Sequence, residues 1–376
     1  MIMNKTKKKF LTIIFTLALL IVAAACSLSA ETDLHDHEGK FLPVINDGDL
    51  SIHFLELGNK YTGDCVYINY GEMDILIDAG SKQSSAVTIM AYINNFIQDE
   101  KLEYVIATHA HEDHISGFNS TSTVMGILDS YDIGTIIDFP ETNSTTATYN
   151  NYLAARERAV DRGTVHYTAL QCFNEEDDAQ RIYDLGGGIK LEILYNYYYE
   201  NWTGKENNYS VCVRIIQGEN QYIFTGDLEL EGEDLLADFY EDNYGGLGHC
   251  VLYKGGHHGS NTSSNIKLMA AISPEYVCVC TCAGSSEYRA AARNVFPSQG
   301  FADRVSPYTD KVYITSFVPD YSNDVFMPFN GNIIFLVSPE YEITLYFSNN
   351  DLKLKDTEWF KNNREMPLAW KDDESP

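Results

Sequence analysis

Basic side chains are scarce in this chain: 26 Lys and Arg stand against 54 Asp and Glu over 376 residues, a formal net charge of −28. Such a surface repels nucleic acid and anionic wall polymers at long range, so a partner of that kind needs a local patch or a bound cation that reverses the field. An anionic small substrate is not excluded, because a divalent ion can dominate the potential at one site. No segment repeats at a fixed period, which argues against solenoids and propellers. Cysteines are also few, eight in all, and the seven beyond Cys26 form an odd, scattered set unlike a disulfide scaffold. The dense stretch "EYVCVCTCAG" reads as a buried strand whose Cys278, Cys280 and Cys282 fill the core as small hydrophobes.

Long apolar runs are missing except at the start, where "FLTIIFTLALLIVAAA" follows Lys5, Lys7, Lys8 and Lys9 and precedes Cys26. That layout is a secretory signal, and Ala23, Ala24 and Ala25 before a cysteine resemble a bacterial lipoprotein signal. The resemblance implies removal of residues 1–25, a lipidated Cys26 as membrane anchor, and a position facing outside the cytoplasm. The alternative is an uncleaved anchor helix, for which sixteen apolar residues are short. Removal takes four lysines and no acids, leaving 22 basic against 54 acidic residues. Residues 26–48 read as a polar tether, and "HDH" at 35–37 within it lacks any element that would fix a metal's geometry.

From residue 49 the pattern changes to short apolar runs closed by glycine or polar turns. "LSIHFLEL", "CVYINYG", "EMDILIDAG" and "EYVIATH" read as consecutive strands. A second series follows with "KLEILYN", "YSVCVRIIQG", "NQYIFTGD", "CVLYKGG" and "EYVCVCTC", with helices read over "NNYLAARERAVDRG", "LADFY" and "NIKLMAAI". Two strand series, each trailing helices, predict an α/β fold of two packed sheets with helices outside. The late runs "KVYITSF", "GNIIFLVS" and "YEITLYFS" are expected to complete the second sheet. No linker interrupts residues 49–350, which read as one domain, and residues 351–376 read as a charged tail.

Chemistry concentrates in "YVIATHAHEDHISGF", residues 104–118. Three of the chain's ten histidines, His109, His111 and His114, fall in this window with Asp113. Imidazole nitrogen and carboxylate oxygen are the donors that Zn²⁺ and similar cations take. Ligands at this spacing, on a loop after a strand, can serve two adjacent ions. The helical His-Glu-x-x-His arrangement is absent, since only Asp113 separates Glu112 from His114.

The pattern His-x-His-x-Asp-His after a strand resembles the signature of the metallo-β-lactamase fold hydrolases. Further stretches match in the family's order: "LIDAG" with Asp78, "QYIFTGD" with Asp227, "YKGGHHGSNTSS" with His257 and His258, and the Asn-x-x-Ser of "NNYSVCVRI". The last feature is similar to the branch holding the hydrolase domain of competence DNA-uptake channels and a bacterial phosphorylcholine esterase. The resemblance spans roughly residues 50–345 and implies a four-layer αββα sandwich. It implies metal ligands at His109, His111, Asp113, His114, Asp227 and His257 or His258, with Asp78 supporting the loop. Extended neighbours point to opposite sides, so one of His257 and His258 is expected to ligate and the other to contact substrate or give a proton.

Two departures stand out. The strand before Asp227 lacks the third histidine that many members supply to the first metal, and Asn207 or Asn208 stands there instead, a weak ligand type. His166, the one histidine between His114 and Asp227, is not read as a ligand, and "NVFPSQG" has Phe296–Pro297 where that branch has His-Pro. Two Zn²⁺ ions are expected, with Mn²⁺ plausible at the more open first site.

The mechanism implied is attack by a water held between the cations and acidified to a pKa of about 7, with Asp113 orienting it. Ser260, Asn261 and Thr262 could donate to a phosphate. The expected activity is hydrolysis of a phosphodiester, or of a phosphorylcholine-type or wall-associated ester. A β-lactam or lactone hydrolase, and a non-catalytic metal- or ligand-binding lipoprotein, stay open beside it.

Overall fold

The computed structural model describes residues 34–35, 41–285, 295–320 and 325–371. The N-terminal apolar run, Cys26, most of the expected tether and the last five residues lie outside the described residues. The chain divides into residues 1–44 and residues 45–376. In the first unit, Leu34–His35 (β1) and Phe41–Leu42 (β2) pair antiparallel.

The second unit is built on two eight-stranded sheets. The first series supplies Leu50–Phe54 (β3), Val66–Tyr70 (β4), Met73–Ile77 (β5), Lys101–Ile106 (β6), Asp132–Asp138 (β7) and Val165–Thr168 (β8). The second supplies Ile182–Gly186 (β9), Ile189–Ile193 (β10), Val213–Gln217 (β11), Asn220–Phe224 (β12), Leu252–Lys254 (β13), Tyr276–Ala283 (β14), Val312–Asp320 (β15) and Val325–Pro328 (β16). Strand order is β16-β15-β14-β13-β12-β11-β10-β9 in the second sheet and β18-β17-β3-β4-β5-β6-β7-β8 in the first. Here β17 is Ile333–Val337 and β18 is Ile343–Phe347. This corrects the expectation for the late strands: "KVYITSF" joins the second sheet, whereas the β17–β18 hairpin returns to the first, β17 pairing antiparallel with β3. All five β17 residues are buried, so the run carries no pattern that says which sheet it joins.

Alternation along β3 explains the layering. Phe54 meets Phe224 of β12 at 6.4 Å between ring centres, and Tyr222 and Tyr276 of the second sheet meet Phe335 of β17 at 6.1 and 5.2 Å. His53 points the other way, beneath the helix Ser85–Ile93 (α1), where Tyr92 and Phe96 enclose its ring. The result is the αββα sandwich. The seven described cysteines are unpaired and buried. The charged stretch after residue 350 is less detached than its composition suggests. Leu354, Phe360 and Trp370 are buried, and Trp370 Nε1 donates to the Thr309 carbonyl at 2.8 Å. Each such burial of a large apolar side chain contributes roughly 1.5–3 kcal/mol, enough to fold a polar segment back.

Candidate metal centre

The centre forms where strands of both sheets end side by side. β5 and β6 run parallel, and the Asp78 N–H just beyond β5 donates to the Ile106 carbonyl at the end of β6 (2.9 Å). Asp78 adopts a φ of 62°, a left-handed conformation in which Asp and Asn are enriched. That bend turns its carboxylate onto the neighbouring strand end. Oδ1 accepts from Thr108 N and Oδ2 from Thr108 Oγ1, both at 2.8 Å, and His114 Nδ1 lies 2.7 Å from Oδ2. His111 stays extended at the N-terminus of the short helix Glu112–Ile115 (α2), so Asp113 and His114 leave the loop on its first turn.

From the second sheet, β12 ends at Phe224 and passes through Gly226 (φ 55°) to Asp227. A Cβ on Gly226 would meet Ser210 Oγ at 2.9 Å and Thr108 Cβ at 3.0 Å, so the turn needs glycine for both its space and its φ. Ser210 Oγ accepts the Asp227 N–H at 3.0 Å, and Val211 N donates to the Thr108 carbonyl at 2.8 Å, tying the two sheets together at the site.

Asp113, His114, Asp227 and His258 come together with one donor atom from each within 4.8 Å of the others. His114 Nε2 and His258 Nε2 lie 3.1 and 3.3 Å from Asp227 Oδ2, and His258 Nε2 lies 3.3 Å from Asp113 Oδ2. Partner chemistry fixes both ring tautomers. His258 Nδ1 faces the Cys280 carbonyl at 3.0 Å and His114 Nδ1 faces the Asp78 carboxylate, and both partners only accept, so each Nδ1 carries its hydrogen. In the neutral rings Nε2 is then a lone pair turned toward carboxylate oxygen. These two Nε2 atoms and both Asp227 oxygens are buried without a hydrogen-bond partner. Lone pairs converging in a buried site are what a cation satisfies, so the residues fit a divalent ion.

Without one, the group must share protons. Burial pushes the Asp227 carboxyl up, and His114, His258 and His257 more than reverse this, holding it well below the usual carboxylate range. Burial pulls His114 down, but Asp227 and Asp78 raise it well above an ordinary imidazole.

The other residues singled out in the sequence fall in different places. His109 is buried, and burial, then His114 and His111, push it well below the imidazole range. Its Nε2 lies 3.0 Å from His111 Nδ1. Among the described residues no third His, Cys, Asp or Glu joins these two as a compact group. The turn carrying His257 and His258 is not extended: both have left-handed φ, 45° and 54°. The two rings nevertheless diverge in role. His258 enters the four-residue group, while His257 places Nε2 3.5 Å from Asp227 Oδ2 and Nδ1 2.8 Å from Thr262 Oγ1. Ser260 Oγ bonds the same Thr262 hydroxyl at 3.1 Å. Asn208 does not stand in for the missing histidine. Its Oδ1 accepts from Glu229 N at 3.1 Å, and it is Asn207 whose amide lies 3.5 Å from His257 Nδ1. His166 pairs with Asp138 at 2.8 Å. Phe296 walls the site, its ring 6.1 and 5.6 Å from those of His257 and His258.

Four residues escaped the sequence reading. Asp64 Oδ1 lies 3.0 Å from His258 Nδ1, and Asp64 Oδ2 pairs with Lys254 Nζ in the interior. Arg304, on the helix Gln299–Val305, donates to the carbonyls of Ser260, Asn261, Ser263 and Ser264. Glu233 accepts from Ser264 N and Asn265 N, both at 2.7 Å. The available signals were slight: a charged residue closing the apolar run "VLYK", and an aspartate between glycine and the next strand in "GDC". Gly63 there has no room for a side chain, since a Cβ would meet Asp113 O and Ser81 N at 2.8 Å.

Residues 58–120 match the model of the metallo-beta-lactamase superfamily. Over 110 residues the chain is 34% identical to the competence protein ComA of Neisseria gonorrhoeae, a match covering 29% of this chain and 14% of that protein. Among solved structures it is similar to the metallo-beta-lactamase fold protein YhfI from Bacillus subtilis (TM-score 0.37, 11% identity, 70% of this chain and 95% of that one). It is also similar to CmlA, a diiron beta-hydroxylase from Streptomyces venezuelae (TM-score 0.36, 12% identity, 70% and 48%). Residues 58–120 thus carry the metallo-beta-lactamase superfamily match, set in an αββα sandwich with clustered His and Asp side chains.

Proposed function

We propose that the chain is an exported, metal-dependent hydrolase of phosphodiester or phosphorylcholine-type esters. The observation that carries the metal reading is the pair of Nε2 lone pairs facing Asp227 Oδ2 at 3.1 and 3.3 Å. Asp113, His114, Asp227 and His258 would hold one divalent cation, with Zn²⁺ first and Mn²⁺ second. His109 and His111 would hold a second ion more weakly, since among the described residues no third His, Cys, Asp or Glu joins them as a compact group. A cation there supplies Lewis acidity and lowers the pKa of water to about 7.

The chain's own groups then have separate tasks. Asp113 is the member of the four that reaches solvent, so it meets an incoming water and accepts its hydrogen bond. His257, whose Nε2 lies 3.5 Å from Asp227 Oδ2 with the Thr262 hydroxyl 2.8 Å from Nδ1, would give a proton to a departing alkoxide. Phe296 packs beside both imidazoles. The ester preference rests on the Asn-x-x-Ser and "GGHHGS" stretches and on the acidic composition, which disfavours nucleic acid without excluding small phosphoesters. Export and anchoring through Cys26 rest on the N-terminal sequence pattern.

The test is hydrolysis of bis-nitrophenyl phosphate, nitrophenyl phosphorylcholine and a chromogenic β-lactam by residues 27–376, with added Zn²⁺ or Mn²⁺. Metal-dependent turnover of a phosphoester supports the proposal. Turnover of the β-lactam alone, or of nothing despite bound metal, contradicts it.

A further inference from the structure

Behind His258 lies a buried ion pair that the chemistry above does not use. Asp64 and Lys254 are each nearly inaccessible, and withdrawing two charges from water costs several kcal/mol per ion. An isolated pair therefore brings the fold little, and what the two side chains touch is more telling. Asp64 Oδ1 sits 3.0 Å from His258 Nδ1, beside the Cys280 carbonyl that receives the same N–H. Lys254 Nζ reaches the carbonyls of Gly226 and Gly255, both at 3.4 Å. One carbonyl belongs to the residue before Asp227 and the other to the residue before the turn Gly256–Gly259 that carries His258. The Asp64 backbone donates to the Asp113 carbonyl at 3.0 Å. Through side chain or backbone, the pair thus touches the supports of Asp113, Asp227 and His258.

The ammonium also occupies a competing position. Asp64, Asp78 and His114 place donor atoms within 4.8 Å of one another, close enough to draw an ion away from Asp113. With Lys254 on Asp64, an internal charge already meets that demand.

We infer that Asp64 and Lys254 are positioning residues of the metal centre, which hold His258 Nε2 against Asp227 and confine the divalent ion to the Asp113 side. The inference rests on the metal reading of the four-residue group. It predicts a separation of stability from metal affinity. Asp64→Asn leaves the Lys254 charge buried and unpaired, so it lowers both urea stability and Co²⁺ affinity, the latter 10- to 100-fold, the usual effect of losing a ligand's outer partner. The double variant Asp64→Asn/Lys254→Met removes both charges and regains the stability of the metal-free protein, while its Co²⁺ affinity stays at least about tenfold below that of the unsubstituted chain. The measurements are Co²⁺ titration followed by visible absorption, equilibrium dialysis, and urea unfolding of the metal-free forms. Recovery of Co²⁺ affinity together with stability would show that the pair serves only the fold and overturn the inference. An unsubstituted chain that binds no Co²⁺ sinks the metal reading itself, so the two failures are told apart.

Discussion

Replacing Asp78 by Asn tests how the supporting carboxylate works. Asn tolerates the left-handed backbone that Asp78 adopts (φ 62°), so the substitution changes chemistry without adding strain. The carboxylate meets three donors: Thr108 N at Oδ1, and Thr108 Oγ1 and His114 Nδ1 at Oδ2. An amide has one accepting oxygen. If that oxygen stays on Thr108 N, the Asn nitrogen faces His114 Nδ1, which must become an acceptor, and the ring hydrogen moves to Nε2. The lone pair that faces Asp227 is then lost. If the amide turns over, two N–H donors meet at Thr108. Either way cation affinity falls, by 10- to 100-fold on the general scale for such partners, or ~1.4–2.7 kcal/mol. The metal-free protein also loses about 1.5–3 kcal/mol, the typical worth of a hydrogen bond to a charged group. Isothermal titration with Zn²⁺ or Mn²⁺ and urea unfolding measure the two effects. Unchanged cation affinity in Asp78→Asn would refute the tautomer argument, whatever happens to stability.

Other expectations follow from separate parts of the molecule. Burial pushes His53 from 6.5 down to about 3, so the unfolded chain binds its proton first. The stability tied to the neutral ring is complete above pH 6.5 and is lost as pH falls toward 3. At pH 5 this amounts to ~2 kcal/mol, so urea midpoints of His53→Gln should fall less between pH 7.5 and pH 5 than those of the unsubstituted chain, and parallel curves would contradict it. Arg304→Lys cannot span the four carbonyls its fork serves, so the loop bearing Thr262 loosens. Phosphoester turnover should drop about tenfold or more with cation binding retained, and equal turnover would count against the role given to Thr262 and His257. Cys26→Ser should release the chain from the membrane fraction, and a variant that stays membrane-bound would contradict lipid anchoring.

Much of the layout was legible in sequence because local rules dominate there. Strand runs closed by glycine or polar turns marked β3 to β6, and three histidines in one short window flagged the end of β6. What the sequence hid depends on contacts between distant segments. The β17 run is apolar throughout, so its return to β3 follows from packing and not from its pattern. Trp370 finds its place through Thr309, which the charged composition around it conceals. The roles of His257 and His258 depend on two successive left-handed residues, a turn the glycines permit but do not dictate. Asp64 and Lys254 are far apart in the chain and signal nothing separately. Only when β4 and β13 are placed in their sheets does each become the other's counter-charge.

The cation content of two neighbouring variants, His258→Gln and His257→Gln, measured by elemental analysis after dialysis against Zn²⁺, tests the assignment of the centre most directly. The predicted result is that His258→Gln loses the tightly held ion, while His257→Gln keeps it and loses phosphoester turnover. Retention of the ion by His258→Gln with its loss in His257→Gln would contradict the assignment of the centre.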